Sequence, residues 1–386
     1  MIDNKKHFRI ALVLYTSGLD YDDRIRKEIL SIQELFPNVS FKIFATEPEN
    51  REEEGVTSYG VPYRIPFLKT REKYPQATHV LAKGLDFYKT IKPELNQFDA
   101  IWCADIETIL FTLLFHGKPV LWDLHELPTG FMHVWWKRLI FRHIERKIRV
   151  MVHANEPRLR YLKEIGMIKH PEKQFVLRNY PQFNEIDNEY DEKYNEFENW
   201  QGTSRCVYLQ GVTGETRADR ESIEAVLSIP GLKAVIIGRT RDELEKELLR
   251  SHTIEELRER LFFTGQIKQL KTPQYIKRCC ISLIFYKNTS TNNWYCEPNR
   301  LFQNLINGNP VVVGNNPPMK EIIEEYGVGI CAETDGSEIQ KIVDALRTVI
   351  SNIDIYKKKI YDVKEHLLWK SQNAVIARIV DKFLVE

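Results

Sequence analysis

Short apolar runs alternate with longer amphipathic stretches from one end of the chain to the other. RIALVLY (9–15), VSFKIFA (39–45), DAIWCA (99–104), PVLWD (119–123) and RVMVHA (149–154) have the length and near-continuous apolarity of strands buried on both faces. Between them lie segments such as DRIRKEILSIQELF, where Ile25, Ile29, Ile32 and Leu35 recur at the spacing of a helix with one buried face. RCVYLQG, KAVIIG, LFFTG, CCISLIFY and PVVVG open a second series of the same kind after a break. Such alternation predicts α/β units with parallel sheets. At 386 residues the chain exceeds one ordinary core, so two doubly wound domains in tandem are expected.

The break, 179–205, is acidic, rich in Asn and Tyr and poor in aliphatic periodicity, and reads as a linker. The expected organisation is a front domain over 1–180, a linker over 181–204, a back domain over 205–368, and a terminal helix over 369–386 that packs back toward the front domain.

Composition narrows the class. With 43% hydrophobic and 28% charged residues, and no run of eighteen apolar residues, the sequence is that of a globular protein without a membrane span. The basic start, MIDNKKHFRIALVLY, passes directly into a strand pattern without a signal-peptide cleavage site, which predicts a cytoplasmic location. Six scattered cysteines form no CxxC pair, so reduced thiols are expected and a metal site is not. Net charge is +1, but Lys and Arg outnumber Asp and Glu by 28 to 23 up to Arg178 and are outnumbered 27 to 31 beyond it. That is too modest for a nucleic-acid protein, yet it fits a basic face turned toward something anionic.

Three loops of the back half suit anion binding, because helix N-termini beyond the ends of parallel strands present N–H groups and partial positive charge. LQGVTGETRAD sets Gly211 and Gly214 after a strand and Arg217 before the next helix; IIGRTRDE sets Gly238 ahead of Arg239. In YCEPNRLFQNLINGNPVVV, Pro298 suits the first helical position, and Asn307, Gly308 and Asn309 suit a left-handed cap at the far end. The structural alternative for each glycine is a plain turn.

The run YCEPNRLFQNLINGNPVVV with NNPPMKEIIEEYGVGI resembles the signature of nucleotide-sugar glycosyltransferases of the GT-B type, in the retaining family 4, a branch that assembles bacterial surface polysaccharides. LFFTGQIKQLKTPQYIKRCCISLIFY, LDYDDRIRKE, ADIETILFTLLFHGKPVLWDLHEL, ANEPRLRYLKE and VLRNYP extend the likeness over nearly the whole chain. The resemblance implies two Rossmann-like domains facing across a cleft, the front one for a glycan or lipid-linked acceptor and the back one for a nucleoside diphosphate sugar, with no metal or other cofactor. It assigns the donor diphosphate to Arg217, Asn299 and Arg300, the nucleotide to Gln303, Gly238, Arg239 and Ile267, and the donor sugar to Tyr295, Cys296 and Glu297. Two positions depart from the family. Gln303 stands where a carboxylate usually holds the ribose, and Tyr295 where a Glu usually meets the sugar. Val212 also replaces a basic residue that commonly follows the glycine.

In the front half, WDLHEL places His125 just beyond a buried strand, and the resemblance puts it beside the reacting sugar, where a neutral ring nitrogen would orient a hydroxyl. Asp105 occupies the matching edge of the neighbouring strand; its structural alternative is a helix cap. Glu126 is an acceptor-side base or a salt-bridge partner. Gly18 and Asp22 belong to the first loop on the acceptor side, and the Asp20, Tyr21, Asp22 triplet reads more simply as a helix cap than as a metal motif. FMHVWWKRLIFRHIERKIR carries six Lys and Arg against one Glu. Trp135, Trp136, Lys137 and Arg138 could meet an anionic membrane surface while Val134, Phe141, Ile144 and Ile148 pack on the sheet. Two other readings stay open: a nucleotide-sugar 2-epimerase of the same fold, and a binding module that has lost activity.

Overall fold

The computed structural model describes residues 6–15, 19, 22–47, 49–74, 79–115, 117–182, 191–211 and 214–385. The chain forms two compact units, one from residues 1–179 with 372–386 and one from 180–371.

Among the described residues the first unit holds an eight-stranded sheet. Its strands are β1 (Phe8–Tyr15), β2 (Val39–Thr46), β3 (Glu53–Val56), β4 (Pro62–Ile65), β5 (Ala100–Ala104), β6 (Val120–Leu124), β7 (Val150–His153) and β8 (Gln174–Val176). They lie in the order β3-β4-β2-β1-β5-β6-β7-β8, parallel throughout except for the β3/β4 hairpin. β5 and β6 are buried at every position, as strands covered by helices on both faces must be. The strand order reverses between β1 and β5, the place where open parallel sheets gather ligands.

The second unit repeats the plan with β9 (Cys206–Gln210), β10 (Lys233–Ile237), β11 (Leu261–Gly265), β12 (Ile281–Ile284), β13 (Val311–Val313) and β14 (Gly329–Cys331). The order is β11-β10-β9-β12-β13-β14, all parallel, with its reversal between β9 and β12. Both sheets are Rossmann-like, as the alternating pattern predicts.

The segment expected as a linker departs from that expectation, since it carries a helix, Lys193–Gln201. Phe197 is wholly buried there against Phe262 and Tyr275, at ring distances of 5.6 and 5.1 Å. Trp200 donates its indole N–H to the Arg258 carbonyl at 3.0 Å, and Lys193 reaches the Thr264 carbonyl at 2.8 Å. The periodicity is there, but aromatic: Tyr194, Phe197 and Trp200 recur every three residues. The β3/β4 hairpin, β8 and β14 also go unmarked in the sequence, because strands of three or four residues at or beside a sheet edge are too short to show a pattern.

The terminal helix, Asn373–Leu384, belongs to the first unit. Gln372 precedes it and exchanges two hydrogen bonds with the Arg178 backbone at 2.7 and 2.8 Å. Phe383 then meets the edge of Trp102 at 6.4 Å between ring centres.

Candidate functional site

In the second unit the strands on either side of the reversal end in a concentrated positive site. Beyond β9, Gly211 adopts a left-handed φ of +65°, and its backbone nitrogen donates to the Ile237 carbonyl at 2.8 Å. Gly238, after β10, has φ +114°, and a side chain there would meet the Gly211 backbone at an ordinary contact distance of 3.6 Å. Glycine at both positions supplies the positive φ that these strand ends adopt.

Arg217 and Arg300 enter the space that Gly211 leaves open. Arg217, six residues after Gly211 at the end of the short 3-10 helix Glu215–Arg217, donates from Nη1 to the Gly211 carbonyl at 3.0 Å. Arg300 is the second residue of the helix Asn299–Ile306, and its Nη1 donates to the Gln210 carbonyl. A Cβ at Gly211 would lie 2.8 Å from one Nη1 and 3.1 Å from the other, so the two guanidinium groups converge on one point. Both also lie over the Tyr286 ring, at 5.3 Å for Arg217 and 5.1 Å for Arg300. Among the described residues neither has a carboxylate in ion-pair contact. Arg300 is buried with its Nε unpartnered, and burial, reinforced by the charge of Arg217, pulls its pKa down. A buried cation without a counter-ion is costly, and a bound anion relieves the cost.

The remaining back-unit positions fall around this pair unequally. Pro298 caps the helix and Asn299, exposed, opens it, one position later than expected for the proline. Gly308, with φ +81°, closes it. Tyr295, Cys296 and Glu297 are half-buried in the turn before Pro298, which Asn316 fixes by donating to the Asn293 and Tyr286 carbonyls at 3.1 Å each. Gln303 is buried one turn beyond Asn299, and its Oε1 has no partner among the described residues. Ile267 is half-buried against the cluster of Phe197, Tyr208 and Tyr275. Arg239 is exposed and makes no described contact with Arg217 or Arg300. Its neighbour Arg241 is spoken for by Asp219 at 2.7 Å and Glu247 at 2.5 Å. Val212 lies outside the described residues.

In the first unit a chain of alternating charges ends at His125. Arg24, in the first turn of the helix Asp23–Leu35, grips the buried Asp123 with two hydrogen bonds of 3.1 and 2.9 Å and donates a third, of 2.8 Å, to the Leu177 carbonyl. Its Nε also lies 3.1 Å from Glu28. Asp123 in turn lies 3.0 Å from His125 Nε2, and Asp105 Oδ2 is 3.8 Å from His125 Nδ1. The His125 carbonyl accepts from Arg158.

The protonation states follow from this packing. Burial alone would push the imidazole down, but the Asp123 carboxylate outweighs it and holds His125 up at about 9. Asp123 thus favours the cationic ring near neutral pH, where the resemblance implies a neutral nitrogen. Burial raises Asp105 to about 6 despite the opposing pull of His125. Burial and the neighbouring Asp123 charge drive Glu28 well above the usual carboxylate range. Arg24 and His125 together overcome the burial of Asp123 and keep its carboxyl well below that range.

Asp105 also plays its structural part, accepting from the Ile106 nitrogen at 2.9 Å from a backbone with φ +61°. Glu126 is exposed. Asp22 caps the helix Asp23–Leu35, accepting from the Ile25 nitrogen at 3.1 Å, as the cap reading of its triplet expects. Gly18, Asp20 and Tyr21 lie outside the described residues. On the helix Trp135–Lys147, Phe141 and Ile144 are buried while Trp135 and Trp136 are 73% and 48% exposed. Lys137 lies over the Trp136 ring at 5.5 Å, and Arg138 is turned back onto the Ile165 carbonyl. Arg24 and Tyr286 escape sequence reasoning, because nothing in a first-turn arginine or a strand-end tyrosine reveals which distant charge it will meet.

The chain aligns over nearly its whole length with solved structures. Sucrose-phosphate synthase from Thermosynechococcus elongatus is 10% identical with a TM-score of 0.74, over 97% of this chain and 99% of that one. The Anabaena protein HepE in complex with UDP-glucose is 13% identical with a TM-score of 0.69, over 97% and 100%. A UDP-forming α,α-trehalose-phosphate synthase from Burkholderia xenovorans is 8% identical with a TM-score of 0.71, over 98% and 100%. At such identities the likeness is one of fold, and that fold is GT-B. No family model matches the chain, and no curated protein does.

Proposed function

We propose that the chain is a retaining glycosyltransferase that moves a hexosyl group from a nucleoside diphosphate sugar to a glycan or lipid-linked acceptor in cell-surface polysaccharide synthesis. The observation that carries this reading is the convergence of Arg217 and Arg300, without a carboxylate partner among the described residues, at the strand-order reversal of the second sheet. Two guanidinium groups at the end of a parallel sheet match a diphosphate in charge and in hydrogen-bond geometry. The fold neighbour HepE holding UDP-glucose supports the same donor class.

In this reading Arg217, Arg300 and the start of the helix at Asn299 bind the diphosphate. Gln303 takes the ribose hydroxyls through its unpartnered oxygen, with Gly238, Arg239 and Ile267 around the nucleoside and Tyr295, Cys296 and Glu297 toward the sugar. The bond between the anomeric carbon and the β-phosphate oxygen breaks with its electron pair passing to the phosphate, where the guanidinium groups stabilise it. The acceptor oxygen forms the new bond on the same face, and its proton passes to the departing phosphate. His125, held cationic by Asp123, donates from Nδ1 to a sugar oxygen, with Asp105 and Glu126 on the acceptor side. No metal enters the scheme, so turnover persists in EDTA. Trp135, Trp136 and Lys137 rest on an anionic membrane surface.

A thermal-shift panel of UDP, GDP, dTDP and ADP tests the donor site, and a response to none of them ends the reading. Turnover with the matching sugar nucleotides then tests the chemistry. Arg217→Ala is expected to lower it by about a hundredfold with the fold intact. A second reading, a binding module without turnover, is favoured by the amide at Gln303 and the phenol at Tyr295 in place of carboxylates; it predicts nucleotide binding with no product. An epimerised sugar formed from donor alone would instead mark a 2-epimerase.

A further inference from the structure

Arg217 and Arg300 present a puzzle of their own. Like charges this close repel, Arg300 is buried and Arg217 half-buried, and no described carboxylate stands between them. Two carbonyl oxygens, of Gly211 and Gln210, take one hydrogen bond from each arginine. Among the described residues both arginines also share Tyr286, two residues beyond β12, which is 7% exposed and has both guanidinium carbons over its ring.

An aromatic face attracts a cation through its quadrupole, and the attraction strengthens when water is excluded. A single ring offered to two guanidinium groups acts as a neutral spacer that draws both inward without consuming their charge. A carboxylate in the same place would pair with them and compete with an incoming phosphate. The backbone around the ring is itself fixed: Asn316 binds the Tyr286 carbonyl, and Lys287, the next residue, donates from its backbone to the Thr216 carbonyl at 2.7 Å, beside Arg217. Lys287 spends its own charge on Glu221 at 2.8 Å. The ring therefore stands on a braced strand end, and the two cations it faces remain unspent.

We propose that Tyr286 is a positioning residue of the anion site, whose ring holds Arg217 and Arg300 together as a preorganised dication for the diphosphate of a nucleotide. This rests on the donor-site reading above and adds to it a residue that touches neither the substrate nor the reacting atoms. The phenol ring is needed and its hydroxyl is not. Preorganisation lowers the ordering cost of binding, so the effect appears in affinity for the diphosphate and not in recognition of the nucleoside.

The test measures binding of UDP, uridine and inorganic pyrophosphate by calorimetry to the unsubstituted chain, Tyr286→Phe and Tyr286→Met. Methionine fills similar space without a π face. Tyr286→Phe is expected within about twofold of the parent for all three probes. Tyr286→Met is expected to bind UDP and pyrophosphate about tenfold more weakly, uridine unchanged, a tenfold loss being what one or two partly buried cation–π contacts are worth. Equal loss of uridine and UDP would mean that the ring merely supports the fold of the site, and overturns the proposal; so does parent-like UDP affinity in the methionine variant. Should Tyr286→Met not fold, the parent and Tyr286→Phe decide alone. Pyrophosphate perturbs the near-ultraviolet tyrosine absorbance of the parent and not that of Tyr286→Phe, and identical difference spectra overturn the proposal. A parent that binds neither UDP nor pyrophosphate removes the donor-site reading itself, a result distinct from any change on substitution.

Discussion

Asp123 is fully buried between the Arg24 guanidinium and the His125 ring, so removing its charge leaves these two cationic groups without the carboxylate that sits between them. Breaking a buried pair in this way costs about 3–5 kcal/mol, because the surviving charge keeps its desolvation penalty and loses its partner. Asp123→Asn should therefore lower stability by that order in urea unfolding. It should also let the His125 ring titrate well below the value of about 9 that Asp123 now maintains, which histidine NMR would follow. The groups facing that ring are Asp123 and Asp105, with Arg24 and Glu28 behind and Glu126 and Arg158 on its own loop and the next helix. An unshifted ring in the variant would assign the raised pKa to something other than Asp123. None of this is legible in WDLHEL alone: the sequence places an Asp two residues before a His, and only folding brings Arg24 to them from 99 positions away.

At the scale of elements, the helix Lys193–Gln201 is part of the core of its unit and not a tether. Phe197→Ala should cost about 3–5 kcal/mol, the usual penalty for emptying a buried aromatic site, as read from denaturant midpoints. A loss below about 1 kcal/mol would mean that the neighbouring rings close over the gap. The helix Trp135–Lys147 makes the opposite case. Its buried stripe, Phe141 and Ile144, was readable from spacing, and so was the surplus of basic residues. The exposed apolar lip of Trp135, Trp136 and Leu139 is what the fold adds, since these residues lie away from the buried stripe. Replacing both tryptophans by Ser should leave the melting temperature within about 2 °C, as exposed side chains away from special features contribute little. The same change should abolish co-sedimentation with vesicles containing anionic lipid. Retained co-sedimentation would remove the tryptophans from the proposed membrane contact.

For the molecule as a whole, burial sets the pH window of stability. His125, raised from 6.5 to about 9, contributes stability that is complete below 6.5 and lost as pH rises through 9. His153, which burial depresses to about 4 while Gln174 holds its Nε2 at 2.8 Å, acts in the other direction, contributing above 6.5 and fading as pH falls toward 4. Asp123, held low, contributes throughout this range and is lost only below 3.8, while Asp105, raised to about 6, and Glu28, raised well above its ordinary value, gain stability as pH falls. Thermal unfolding between pH 6.5 and 9.5 should show an alkaline decline in stability that Asp123→Asn removes. A stability that keeps rising to pH 9 in the unsubstituted chain would contradict the His125 assignment.

The sequence by itself determined the two parallel sheets, their central strands and the glycines at their ends, since continuous apolar runs and helical spacing are local properties that each segment carries alone. It marked Arg217 and His125 as candidates by position after those strands, and Arg300 through the family resemblance. Tertiary structure alone decided that Arg217 and Arg300 meet over Tyr286, that Asp123 and Arg24 charge the histidine, and that an acidic, aromatic segment joins a core. Those outcomes depend on which charges and rings share a low-dielectric space, and proximity between residues far apart in the chain leaves no period to read.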